Sequence, residues 1–285
     1  MDQTTPVLTQ YSGVCNARRK RSGKIKIGVH SKSNSAVKIL ITVLLGLTVY
    51  AFISFDYKEI VLGEAIAATL RNVKTVFLEP KLSTDTFKNV MYQLFLTFCL
   101  GTLSTIFGAI AAFFCSLLCA KNTAPSGVAN AVKCVIALIR AVPTVLWVLI
   151  FAVSAGLGSV AGVIGLTFHS FAYLTKVYAE SIEEIDDGTI EALRASAGFW
   201  QIVFQAIVPA SLSRMVAWTF MRFEINFTNA IAVGAAAGAG GIGFNLYMAG
   251  SFYFNLHEMG ILTYIVVIAV VMLEMFSTKI KERVK

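Results

Sequence analysis

The chain has 285 residues, of which 56% are hydrophobic and 14% charged, and its formal net charge is +8. Soluble globular domains carry about a quarter charged residues, so this composition, with a mean hydropathy of +0.73, excludes an ordinary soluble fold. The positive charge does not indicate nucleic acid, because Arg18, Arg19, Lys20, Arg21, Lys24, Lys26, Lys32 and Lys38 all precede the first long apolar run. That is the pattern of a cytoplasmic anchor beside a lipid bilayer.

Residues 1–37 read as a disordered basic tail, polar through SKSNS at 31–35. An apolar run at about 38–55 follows, with no small-residue cleavage site after it, so it reads as an uncleaved signal anchor. Residues 56–88 hold five basic and five acidic side chains; within them EIVLGEAIAATLRNVKTVFL (59–78) has helical periodicity, and Pro80 ends it. Residues 38–88 thus form a first transmembrane helix plus an outer amphipathic segment, and 89–285 the main membrane body.

A helix needs about 20 mostly apolar residues to cross the hydrocarbon core. Asn89–Ala120, Ala141–Thr175, Ile225–Leu256 and Met259–Leu273 are uncharged. They predict spans at about 90–119, 130–154, 160–182, 212–237 and 259–278, six in all with the first. Stretches such as TVLWVLIFAV (144–153) are apolar on all sides rather than alternating, which rejects a β-barrel. The expected fold is all-α, a polytopic helical bundle. KNTAPSG (121–127) reads as an inner turn and GLGSVAG (156–162) as an outer one; the basic tail TKIKERVK (278–285) puts both termini inside. The five cysteines lack metal-type pairing; Cys115 and Cys119 share a helix face and read as packing residues.

The segment 183–211 differs from the other loops. EALRASAGFWQIVFQAIVPASL (191–212) reads as a short helix, a glycine break and a second helix leading into the next span, after an acidic start EEIDDGTIEA (183–192). Amphipathic helices on a membrane surface carry Lys and Arg on the polar face. Here the polar positions are mainly acidic or neutral, which points to a protein partner.

This segment resembles the EAA loop of ABC-importer permeases, with Glu191 and Ala192 at the motif's start, Gly198 as its glycine and Pro209 as its terminal proline. RAVPTVLWVLIFAVSAGLGSVAGVIGLTFHSFAYLTKVYAESIEEID (140–186) and RFEINFTNAIAVGAAAGAGGIG (222–243) are similar to phosphonate-type permeases of the PhnE family. The resemblance covers roughly residues 90–280. It implies a type I importer bundle, most simply a homodimer, that moves phosphonate-, phosphite- or phosphate-like anions. A binding protein outside would deliver the anion. Two cytoplasmic ATPase subunits would bind ATP and Mg and grip the 183–211 loop, leaving this chain without catalytic residues, cofactor or metal of its own.

Within that frame, Arg140, Arg222, His169, Ser170 and Asn226 are candidates for the anion path, since charged side chains inside spans usually face a cavity or partner. Arg140 is expected as a buried cation beside a kink at Pro143, or as a structural residue snorkelling to the interface. His169 can equally be a satisfied interhelical donor, and Arg222 part of a structural network. Lys176 and Glu180 are expected to pair one turn apart. Gly238, Gly240 and Gly243 spell a dinucleotide-type motif, but no strand pattern precedes them. With Gly241 they read instead as close packing or a hinge, which the resemblance locates near an outer gate. An ion-coupled carrier using His169, Glu224 or Glu274 is the alternative, although no paired inverted repeats are visible.

Overall fold

A computed structural model describes residues 15–19, 25–29, 32–55 and 61–284. The chain divides into two units, Met1–Ala65 and Ile66–Lys285. In the first, β1 (Cys15–Arg19) pairs antiparallel with β2 (Ile25–Val29), and α1 follows at Lys32–Ser54. The tail expected to be disordered at 1–37 lies partly outside the described residues, and β1, β2 and the start of α1 fall within it. Ile25, Ile27 and Val29 alternate at the two-residue period of a strand, a signal that the flanking charges obscured; residues 1–14 and 20–24 lie outside the described residues.

The second unit is helical. It takes in α2 (Leu62–Leu78) from Ile66 onward, then α3 (Phe87–Cys119), α4 (Ser126–Ala141), α5 (Thr144–Ala155) and α6 (Ser159–Glu183). The short helices α7 (Asp187–Arg194) and α8 (Phe199–Ile202) come next, and a π-helical turn at Val203–Ile207 joins α8 to α9 (Val208–Ala237). Finally α10 (Gly241–Tyr247) and a second π-helical turn lead to α11 (Leu256–Val284). Among the described residues, five helices are long and apolar enough to cross a membrane on their own, and counting the bent pair α4–α5 as one span gives six. At 1.5 Å per residue, the 33 residues of α3 extend about 50 Å, well beyond a hydrocarbon core of about 30 Å.

Pro143 produces more than a kink. The axes of α4 and α5 turn by 88° across it. Proline drives its predecessor out of helical geometry, and Val142 is extended at ψ 125°. Pro143 also lacks the N–H that would close the turn. The Trp147 indole donates to the Ile139 carbonyl at 3.0 Å, satisfying one of the groups the break leaves over.

The helix α6 is central and packs on α3, α4, α5 and α9. Small residues permit the approach, as membrane helices require. A Cβ built on Gly108 would lie 2.8 Å from the Ser170 Cβ, and one on Gly165 would lie 2.7 Å from the Val148 backbone. Buried Ser104, Thr105 and Ser170 return their hydroxyls to carbonyls one turn back, so no water is needed to satisfy them. The loop segment is part of the core. Ile190 of α7 and Ile202 of α8 pack with Leu174, Tyr178 and Ile182 of α6.

At the other end of the bundle, Gly238 ends α9 in the left-handed conformation (φ 64°). Gly240 and Gly241 also have positive φ, and α10 then runs back against α9. A side chain at Gly243 would overlap the Ile231 carbonyl. Gly241 and Gly243 are thus closely packed, whereas Gly238 and Gly240 serve the positive-φ turn. Nearby, the buried Glu258 carboxylate accepts from the Thr84 and Asp85 amides at 3.1 and 2.7 Å, while Asn245 donates to Asp85 at 2.6 Å. This clamp joins the start of α3 to α10 and α11. Its partners lie more than 150 positions apart, beyond the reach of local pattern.

Candidate functional site

Two regions hold the candidate residues. The first is the α7–α8 segment. Asp186 caps α7 by accepting from the Thr189 amide at 3.0 Å. Ile190 is buried and Leu193 half-buried, which leaves Glu191, Ala192 and Arg194 on the exposed face. The chain breaks at Ala195–Gly198, and the Gly198 amide donates to the Gln201 side chain at 2.9 Å to start α8. Pro209 lies in the first turn of α9, and the π-helical turn just before it absorbs the missing backbone bond. The expected helix, glycine break and second helix are all present.

Long-range contacts brace this segment. The Glu183 carboxylate accepts from Lys133 Nζ at 2.8 Å and from the Lys121 amide at 2.9 Å. Arg194 donates to the Asn122 carbonyl at 2.7 Å, and Asn122 donates to the Ile182 carbonyl at 2.8 Å. Arg214 of α9 pairs with Glu184 at 2.7 Å and donates to the Ser181 carbonyl at 2.8 Å. A concavity of about 750 Å³ opens in front of Lys121, Asn122, Glu183, Glu191 and Arg194. Sequence reasoning missed Lys133, Asn122, Arg194 and Arg214, whose partners are distant in the chain.

The second region is a polar seam between α3, α6 and α9. Arg222 is 2% exposed. Its Nε donates to Ser170 Oγ at 3.1 Å and its Nη2 to His169 Nδ1 at 2.9 Å. A guanidinium can only donate, so Nδ1 is the acceptor and the imidazole proton sits on Nε2. Asn226 donates to Thr105 Oγ1 and Ser170 Oγ, both at 2.8 Å. The Arg222 guanidinium carbon stands 5.1 Å from the centroid of the Tyr173 ring, and that of Arg140 6.0 Å from the same ring. Among the described residues, Arg222 enters no ion pair.

The structure thus gathers Arg222, His169, Ser170 and Asn226, and Arg140 approaches from α4. Of the two readings of Arg140, its position fits the residue near an interface rather than the buried cation. Arg140 is exposed, because α4 stops beside it at the Pro143 break; the buried cation is Arg222. Thr105 and Tyr173 were missed. Tyr173 had a readable signal, since His169, Tyr173, Lys176 and Glu180 follow the i, i+4, i+7, i+11 spacing of one helix face. On that face His169 and Tyr173 are half-buried while Lys176 and Glu180 are exposed, and the last two pair at 3.4 Å as expected. Beside it, a cavity of about 240 Å³ is lined by Lys133, Arg140, Lys176, Glu180 and Glu183 among others.

A bundle of membrane-length helices, one of them broken, with a braced amphipathic loop and a polar seam, defines a membrane transport component. Residues 112–280 match the family of binding-protein-dependent transport system inner membrane components, and the chain belongs to that family. It is similar to the phosphate-import permease protein PhnE of Mycolicibacterium smegmatis, at 36% identity over 152 residues (53% of this chain, 28% of that protein). It is also similar to the phosphite transport system permease protein PtxC of Stutzerimonas stutzeri, at 29% identity over 185 residues (64% of this chain, 65% of that protein). The match therefore spans less than two thirds of the length of either relative. Among solved structures, the inward-facing MetNI methionine ABC transporter superposes with a TM-score of 0.63 at 22% identity, covering 72% of this chain and 100% of that one. A bacterial alginate ABC transporter gives 0.58 at 14% identity, covering 88% and 98%. The fold is that of ABC-importer permeases.

Proposed function

We propose that this chain is the membrane-spanning subunit of an ATP-driven importer for phosphonate-, phosphite- or phosphate-like anions. The observation that carries the anion reading is Arg222, a buried cation whose described partners are a hydroxyl, an imidazole and an aromatic ring. A buried charge without an opposite charge is costly, and charged side chains within spans line ion or substrate paths. The half-open stripe of His169, Tyr173, Lys176 and Glu180 supplies a polar surface along the same helix. The names of the phosphate-import permease PhnE and the phosphite transport permease PtxC, to which the chain is similar, support the same ligand class.

The exposed face of α7 and the concavity beside it suit a cytoplasmic ATPase subunit, with Glu191 and Ala192 at the contact and Gly198 and Pro209 setting the angle of the following helix. ATP and Mg belong to that subunit in this reading, and an extracytoplasmic binding protein brings the anion. Two copies of the chain form the path, both termini are cytoplasmic, and the glycine turn at 238–243 lies at the outer gate. ATP favours one arrangement of the pair and nucleotide release the other, so transport follows from differential binding.

Uptake of labelled methylphosphonate into vesicles holding this chain, its ATPase and its binding protein tests the reading. The expected uptake requires ATP, survives a proton ionophore and is lost with Glu191→Arg. Uptake that ignores ATP and collapses with the ionophore would identify an ion-coupled carrier instead.

A further inference from the structure

The seam contains an arrangement that anion transport in general does not require. Two guanidinium groups, on different helices and 82 positions apart in the chain, lie over the same aromatic ring. Arg222 is fixed in the bundle by Ser170 and His169. Arg140 is exposed, one residue before the end of α4 and beside the 88° break at Pro143. One cation is therefore tied to the bundle by hydrogen bonds, and the other sits next to the sharp break between α4 and α5. Tyr173, half-buried, is the group that both of them face. A ring face offsets only part of a cation's charge, and two guanidinium groups near one ring repel each other. An oxyanion with several oxygens can accept from both at once, and planar guanidinium forks match such oxygens well.

We infer that Arg140 and Arg222 form a bipartite site for a tetrahedral oxyanion, covered in this conformation by the ring of Tyr173. The inference rests on the anion-import reading above and adds to it a site, its two cationic halves and the residue that closes it. An arriving anion displaces the ring, takes the Arg222 guanidinium, and draws Arg140 inward about the Pro143 break. Tyr173 acts as a positioning and closing residue, through its ring face. No bond is made or broken.

The test uses the full complex in proteoliposomes loaded with labelled phosphite and labelled sucrose, without ATP. Tyr173→Leu is expected to raise phosphite efflux about tenfold over the unaltered complex, a lowering of the barrier by about 1.4 kcal/mol, while sucrose stays inside. Tyr173→Phe, which restores the ring, should restore closure, and adding Arg222→Gln to Tyr173→Leu should remove the leak. Efflux at the unaltered rate, or phosphite and sucrose escaping together, overturns the inference. Arg140→Gln supplies a second arm that does not perturb packing, because the residue is exposed. It should lower the maximal rate of ATP-driven phosphite uptake about tenfold while the KM, set by the binding protein, stays put. An unchanged maximal rate overturns the bipartite site alone. Failure of the unaltered complex to take up phosphite, phosphate or methylphosphonate with ATP overturns the anion-import reading itself.

Discussion

The α7 brace and the α6–α9 seam handle positive charge in opposite ways. In the brace, Lys133 meets Glu183, Arg214 meets Glu184, and Arg194 meets a carbonyl oxygen. In the seam, Arg222 is far more deeply buried yet meets a hydroxyl, an imidazole and a ring. Partly exposed pairs contribute at most about 1 kcal/mol each, so the brace fixes geometry through several small terms. A buried cation facing neutral acceptors and a ring keeps much of its field available to a ligand. In the proposed reading, the difference separates a region that transmits position from one that receives an anion.

The most severe way to break the comparison is to remove the charge from the seam. Arg222→Gln should reduce ATP-driven anion uptake by about 10- to 100-fold, the range for losing charge-assisted hydrogen bonds. Arg222→Lys should recover only part of this, because an ammonium cannot hold Ser170 and His169 with the same fork. Reversing the exposed charge of α7 comes next. Glu191→Arg should lower retention of the ATPase subunit on washed membranes about tenfold, typical of a strong interface residue, with the thermal stability of the chain unchanged. A packing change is smaller and belongs to neither region. Gly108→Leu should destabilise the α3–α6 contact by about 1–3 kcal/mol, readable as a lower unfolding temperature in detergent. The mildest is Glu183→Gln, which removes one partly exposed ion pair and should cost less than about 1 kcal/mol. Its expected signature is weaker coupling, seen as more ATP hydrolysed per anion moved.

Much of the bundle was legible because membrane spans are long and uncharged, and a run such as Asn89–Ala120 has few other physical outcomes. The helix, glycine and helix of 191–212 could be read from Gly198 and the apolar spacing after it. Pro143 announced a break, but not its 88° size, which goes with α5 packing on α6 and α9. Arg222, Ser170 and Asn226 could be singled out as costly residues in a span, whereas their meeting at Thr105 and Tyr173 depends on how three helices cross. Lys133–Glu183 and Glu258–Asp85 follow the same rule. Pairs far apart in the chain leave no periodic trace in it.

The central claim is that position and anion are handled by separable parts of the chain. ATP hydrolysis and phosphite uptake, measured together in proteoliposomes carrying Arg222→Gln with the ATPase and binding protein, test it most directly. The account predicts continued hydrolysis with uptake reduced by one to two orders of magnitude, about 1.4–2.8 kcal/mol. Hydrolysis and uptake falling in parallel, or uptake persisting at the unaltered rate, would contradict it.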